Sequence, residues 1–371
     1  MMEIHRKAFG CCCSAALLVL APAVAGAGLE WVRVSEDRSH FVRGEGEERF
    51  VVWGVNYDHN AEGALIEDYW DADWKSVAED FEEMKALGVN VVRVHLQLGK
   101  FMQTPERANE AELGRLAKLV ALAGEKGIYL NLTGLGCYHK EDVPDWYDAL
   151  GEAERWAVQA RFWEAVAKRC AKSPAIFCYD LMNEPILPGR EKETDWLGDA
   201  FGGKHFVQRI SLDLAGRTRE EVARTWVERL TAAIRKHDAR HLITVGVIPW
   251  AHVFPKAKPL FHSKEVGVPL DFVSVHFYPE AGGVDKALTA LAAYELGKPL
   301  VVEEMFPLKC SKEELDDFIV RSAATVDGWF SFYWGRTIEE YRGPSPTLSD
   351  VITADWLEQF QKRGAEMIRA K

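Results

Sequence analysis

Short runs of apolar, often β-branched residues alternate along this chain with stretches whose apolar positions recur at helical spacing, and that alternation predicts repeated βα units. Strands are predicted over residues 50–57, 89–96, 128–133, 176–182, 242–247, 272–278, 299–304 and 329–334. In the first interval Val77, Phe81, Met84 and Leu87 mark one helical face before Gly88 ends it. Further helices are predicted over 110–126, stopped by Gly127, and over 151–172, 218–236, 311–326 with Ser311 as N-cap, and 354–370. No tight-hairpin signal joins consecutive strands, so the sheet is read as parallel. Eight such units close most naturally into a (β/α)8 TIM barrel of the α/β class. Residues 30–48 precede the first barrel strand and predict a small N-terminal hairpin over the barrel bottom. The longest interval, 186–217, follows the fourth strand and predicts a loop over the mouth. No linker or low-complexity tract divides the chain, so residues 28–371 are read as one domain.

Composition adds an address. Of 371 residues, 48% are apolar and 27% charged, enough to bury a large core. The first 27 differ: His5-Arg6-Lys7 precede an apolar run that ends with the small residues Ala23 and Ala25, as an export signal does. Pro22 and Gly26 interrupt the run before the roughly 20 residues a spanning helix needs. Residues 1–27 are therefore read as a removed signal peptide, the protein as secreted or periplasmic, with no stable membrane insertion after removal. Beyond the signal only Cys137, Cys170, Cys178 and Cys310 remain, without paired CxxC spacing, so neither a zinc site nor a disulfide framework is supported and no cofactor is called for. A net charge of −12 argues against nucleic acid or anionic membrane and suits a neutral oligo- or polysaccharide.

Chemistry concentrates at strand ends. The fourth strand runs Ile176-Phe-Cys-Tyr-Asp-Leu-Met-Asn-Glu-Pro185, an apolar run closing on an amide, a carboxylate and a proline. Pro185 lacks an amide hydrogen, so the ladder is expected to stop there, with Asn183 and Glu184 at the carboxyl end where a parallel barrel does its chemistry. The seventh strand ends Val302-Glu-Glu-Met-Phe306. Strands four and seven face one another across a barrel, so Glu184 can meet Glu303 or Glu304. Glycoside hydrolysis needs such a pair, one carboxyl protonated and one ionised; a separation of roughly 5–5.5 Å gives retention, and about 6.5–9.5 Å gives inversion.

These motifs resemble glycoside hydrolase family 5 of the clan A barrels, which includes cellulases and β-mannanases. Leu181-Met-Asn-Glu-Pro185 matches the family's Asn-Glu-Pro signature, and the segment from Asp80 to Arg93 is similar to its first helix and second strand. The resemblance implies a retaining β-glycosidase with Glu184 as acid/base, Asn183 beside it on the sugar 2-hydroxyl, and Glu304 as nucleophile. It implies that Arg93 and Tyr278 hold the nucleophile ionised, that His276 lines the cleft near the acid/base, and that Trp334 stacks on the sugar. Glu303 then falls on the alternate face, and Glu303→Gln is expected to leave activity unchanged. One departure stands out: the third strand ends Leu130-Asn-Leu-Thr-Gly134, where many family members carry a sugar-contacting histidine, and His95 or His139 are the available substitutes. Trp70, Trp146, Tyr147, Trp196 and Trp250 lie beyond strand ends as candidate sugar platforms. Two other readings remain at this point: a carbohydrate-binding barrel without turnover, and a metal-dependent barrel hydrolase using His95, His139 and His276.

Overall fold

The computed structural model of the chain describes residues 28–370; the predicted signal, residues 1–27, lies outside them. Eight parallel strands pair in chain order: β1 (Val52–Tyr57), β2 (Val91–Gln97), β3 (Tyr129–Gly136), β4 (Ile176–Asp180), β5 (Leu242–Thr244 and Gly246–Val247), β6 (Val273–His276), β7 (Leu300–Glu304) and β8 (Gly328–Phe332). β8 returns to β1 with Gly328 opposite Val52. β5 is broken at Val245; its first segment pairs with β4 and its second with β6, and so the barrel closes. The (β/α)8 barrel expected from the periodicity is the fold.

The helices that follow the strands are α1 (Trp74–Ala86), α2 (Glu110–Lys126), α3 (Glu152–Cys170), α4 (Arg219–Arg235), α5 (Trp250–Val253), α6 (Val284–Leu291), α7 (Lys312–Ser322) and α8 (Leu348–Ala370). Their ends obey local chemistry. Gly127 takes the left-handed conformation at φ 67° that closes α2, and Thr218 with Glu221, and Ser311 with Glu314, form reciprocal capping boxes at α4 and α7. α8 starts six residues earlier than expected, because Thr347 and Asp350 cap it in the same way: Thr347 N–H donates to the Asp350 carboxylate at 2.9 Å. The ladder of β4 also ends earlier than expected, at Asp180. Pro185 does not terminate it; Pro185–Ile186 instead opens a separate two-strand pair with Gln208–Arg209 in the long loop.

The residues before β1 form the antiparallel strands Val32–Val34, Phe41–Arg43 and Glu48–Arg49. They close the barrel bottom. Phe41 meets Phe177 and Phe272 edge to face at 5.2 Å each, and Phe50 meets Tyr129 at 5.2 Å. With Val52, Val91, Val301 and Phe330 these rings make an apolar cluster separate from the larger one between barrel and helices.

Candidate active site

Above the apolar floor the barrel interior turns polar. Arg93 of β2 is fully buried and spends its guanidinium on four neighbours: Nη1 donates to Asn56 Oδ1 at 2.9 Å and Glu304 Oε1 at 2.7 Å, and Nη2 to Asp180 Oδ2 at 2.7 Å and Asn183 Oδ1 at 2.8 Å. Its Nε faces Glu303 Oε1 at 3.6 Å. Asp180 also accepts from Thr133 Oγ1 and from the Gly246 N–H, each at 2.8 Å. Glu303 accepts from Asn131 of β3 and Ser274 of β6. Each polar residue sits in an otherwise apolar strand, which is affordable only because each has a partner.

Glu303 overturns its expected place. Val275 pairs with Val302 but His276 pairs with Glu304, so β7 carries an extra residue, a β-bulge at Glu303. The bulge cancels the alternation, and Glu303 and Glu304 both join the interior network. Glu303 shares the inward face with Val301 and accepts hydrogen bonds from Asn131 and Ser274, so it is not the alternate-face residue expected above; the bulge is what turns Glu304 inward beside it. Room for this meeting comes from β5: a Cβ at Gly246 would stand 2.5 Å from Glu303 Oε2, 2.8 Å from His276 Nε2 and 3.1 Å from Arg93 Nη2.

Across the mouth, Glu184 follows β4 in the left-handed region at φ 45°, a conformation non-glycine residues rarely adopt, and its N–H is tied to the Gly246 carbonyl at 3.0 Å. His276 Nδ1 lies 2.8 Å from Glu184 Oε1 and 3.4 Å from Glu304 Oε2, while its Nε2 faces Glu303 at 3.6 Å. Tyr278 donates its hydroxyl to Glu304 Oε2 at 2.7 Å. Oxygens of Glu184 and Glu304 and a ring nitrogen of His276 lie within 4.8 Å of one another.

Four carboxylates thus surround two cations. Burial works against a charged His276, but the Glu304 charge and its contacts with Glu184 and Glu303 raise it to about 10, which favours the imidazolium, with Nδ1–H directed at Glu184 and in ion-pair range of Glu304. Burial pushes Glu303 up, yet Arg93 and His276 outweigh it and hold the group at about 2. Burial first, then the Glu303 charge, raise Asp180 to about 6. Glu304 departs from the simplest expectation: burial and the Glu184 charge raise it against the pull of His276, Arg93 and Tyr278. Burial and the Arg93 charge keep His95 neutral.

A cavity of about 490 Å³ opens over Glu184 and Glu304. Asn183, His95, Tyr278 and Trp334 line it, with Trp334 stacked on Phe332 at 5.4 Å and edge-on to Phe306 at 5.1 Å. His276 and Arg93 lie beneath. His139 is not brought to this wall: Tyr138 turns inward to bond His95, and His139, the next residue, stays half-buried ahead of the Lys140–Asp142 turn. The long loop does wall the mouth, through Asp199, Phe201, Lys204 and Phe206. Most loop aromatics serve the scaffold instead: Trp70, Tyr147 and Trp196 are buried, the last two against the Arg155 guanidinium, and Trp250, 41% exposed, lines a separate cavity. Sequence reading missed Asp180, Asn131, Thr133, Ser274 and Gly246. The signal was legible for Asp180 and Asn131, which break otherwise apolar strands.

The family profile described as cellulase (glycosyl hydrolase family 5) matches residues 54–318. A mannan endo-1,4-β-mannosidase A of Emericella nidulans is 23% identical over 305 residues, covering 72% of this chain and 71% of that one. An exo-β-1,4-mannosidase from Opitutaceae bacterium strain TAV5 superimposes with a TM-score of 0.63 at 18% identity; the match covers 90% of this chain but only 62% of that one. A β-mannanase from the blue mussel Mytilus edulis superimposes with a TM-score of 0.60 at 16% identity, covering 91% and 97%.

Proposed function

Because the chain belongs to glycosyl hydrolase family 5, and is thereby a glycoside hydrolase of β-linked sugars, we propose that it cleaves a β-linked mannan, glucan or related glycoside by double displacement with retention. The observation that carries this reading is the approach of Glu184 and Glu304 oxygens to within 4.8 Å, which suits the roughly 5–5.5 Å carboxyl separation of a retaining site better than the about 6.5–9.5 Å of an inverting one. Glu304, gripped by Arg93 and Tyr278, is the nucleophile. It attacks the anomeric carbon while Glu184 protonates the departing oxygen; Glu184 then takes a proton from the water that releases the glycosyl-enzyme. The His276 imidazolium bridges both carboxylates. Asn183, held by Arg93 and by its own donation to the Phe206 carbonyl at 2.9 Å, presents its amide to the sugar hydroxyls, and Trp334 offers a ring face to the apolar side of the sugar.

Glu304 sits above the usual carboxylate range in the resting site, and the positive charges of His276 and Arg93 are what oppose that rise. Residues 28–371 form the catalytic domain, and residues 1–27 direct export; among the described residues no helix is long and apolar enough to cross a membrane.

The test is incubation with aryl β-glycosides, β-mannan and β-glucan, following the anomer first formed by proton NMR. A β-anomer product supports double displacement, and an α-anomer overturns it. Binding without any reducing-end release would make the protein a carbohydrate-binding barrel instead, and loss of activity to a chelator would point to a metal-dependent hydrolase.

A further inference from the structure

The cavity over Glu184 and Glu304 is closed on one side by the chain's own backbone. The loop after β4 carries a tight turn in which Phe201 bridges Lys204, and this turn extends past the loop after β3 to the loop after β1. Lys204, 7% exposed, brings its ammonium to 3.4 Å from the place a Cβ on Gly63 would occupy. The reach is pinned. His205 N–H donates to the Tyr138 carbonyl at 2.8 Å, Asn183 Nδ2 to the Phe206 carbonyl at 2.9 Å, and the Phe206 ring meets Tyr138 at 4.9 Å. A segment held at three points is a wall rather than a lid.

Two buried polar atoms behind that wall have no hydrogen-bond partner among the described residues: Asp58 Oδ1 and Trp334 Nε1, both on residues lining the cavity. Asp58 is 3% exposed, and its other oxygen is held by His59 Nδ1 at 2.7 Å. His59 in turn faces the Trp334 ring at 6.1 Å. A buried carboxylate oxygen needs a donor and a buried indole N–H needs an acceptor; a sugar hydroxyl supplies both. The side matters. Glu184, which hands its proton to the leaving group, follows β4, whereas Asp58 and His59 follow β1 and Trp334 follows β8. The walled end is therefore the end that receives the sugar retained on the enzyme, away from the leaving group.

We propose that this end is a closed pocket for the non-reducing terminal sugar of a β-linked chain, with Asp58 and Lys204 reading its hydroxyls, so that substrate is shortened one terminal unit at a time. The proposal rests on the hydrolase reading above. Each turnover breaks the terminal C1–O bond, the leaving oxygen takes the Glu184 proton, and water supplies the hydroxyl of the released sugar and reprotonates Glu184. An open cleft would let chain run out on both sides of the cut; a wall at the retained end forbids it.

The experiment uses β-1,4-mannopentaose and cellopentaose tagged at the reducing end, with the full enzyme and products mapped by mass over time. The tagged tetramer and free monosaccharide appear first, ahead of the tagged trimer, and methylating the terminal 4-hydroxyl slows cleavage by about ten-fold or more. Early tagged dimer and trimer alongside untagged oligomers, with the methylated chain cut equally well, overturns the pocket. Asp58→Asn raises KM for the pentamer by about ten-fold while kcat stays within about three-fold; an unchanged KM removes Asp58 from the proposal. Lys204→Ala relieves the penalty on the methylated chain, and a penalty that persists in full removes Lys204. Aryl β-glycosides run in parallel separate the two readings: if they turn over while pentamers are cut internally, only the pocket fails, and if nothing is cleaved the hydrolase reading fails with it.

Discussion

The two ends of the barrel are equally buried and chemically opposite. At the bottom Phe41, Phe50, Phe177, Phe272 and Phe330 fill the space with rings that need no particular partner. At the mouth Arg93, Asp180, Glu303 and His276 fill it with charges, each paired with an opposite one. Losing one ring leaves a cavity; losing one charge leaves its neighbours uncompensated in a low-dielectric interior. The contrast teaches that burial alone does not distinguish scaffold from site. What distinguishes them is whether the buried group can be replaced by its own shape.

The sharpest break in that comparison is Glu304→Gln, which keeps shape and removes charge. It is expected to lower kcat/KM by on the order of 10⁴-fold while thermal melting moves little, checked by steady-state kinetics beside calorimetry. Glu303→Gln comes next and reverses the expectation from strand alternation. Deprived of one carboxylate, Arg93 and His276 face each other undercompensated, so the variant is expected to lose about 3–5 kcal/mol of stability and about 100-fold in activity, read by urea titration and by kinetics at a permissive temperature. A fully active, wild-type-stable Glu303→Gln would mean that the buried network does not depend on the Glu303 charge. At the other end Phe41→Ala should cost about 3–5 kcal/mol too, but leave kcat/KM unchanged wherever the variant is folded. Activity loss there would erase the division between the two ends.

The smallest effect is a pH signature. His276 is raised from 6.5 to about 10 despite its burial, through the charges of Glu304, Glu184 and Glu303, so its stabilising contribution is complete below about pH 6.5 and drains away as pH climbs towards 10. Glu303, lowered from 4.5 to about 2 because Arg93 and His276 overcome its burial, contributes above pH 4.5 and loses that contribution as pH falls towards 2. Melting temperature against pH should therefore fall on both flanks, and His276→Gln should flatten the alkaline one. An alkaline flank that His276→Gln leaves intact would assign it to other groups. The phenylalanines of the floor, Phe41, Phe50, Phe177, Phe272 and Phe330, carry no titratable group and should contribute nothing to either slope.

Much of the architecture was legible because it is local. Thr218 with Glu221 and Ser311 with Glu314 announce helix starts within four residues, and the apolar runs announce buried parallel strands. Glu184, Glu304, Arg93, Asn183, His276, Tyr278 and Trp334 were singled out in the sequence and lie at or directly beneath one cavity. What escaped depends on register and on more than one strand. The bulge that turns Glu304 inward beside Glu303 exists only in the pairing of β6 with β7. The left-handed turn at Glu184 is set by its bond to Gly246, 62 positions away by subtraction. His139 was misplaced because Leu135, at φ 62°, shifts the strand-three ending so that Tyr138 takes the inward position. Thr347 with Asp350 obeys the same capping rule as Thr218 with Glu221, so the earlier start of α8 is local information as well.

Gly246 contributes no side chain, and the site is built around that omission. A library that randomises every position one at a time would find the charged residues partly replaceable by isosteres, each at a graded cost. At position 246 there is no graded scale, because the smallest alternative, alanine, already stands 2.5 Å from a carboxylate oxygen and 2.8 Å from the imidazole it pairs with. An undecorated position beside the charges is therefore one where the mutational landscape should drop steeply, and a screen that looked only for reactive groups would pass over it.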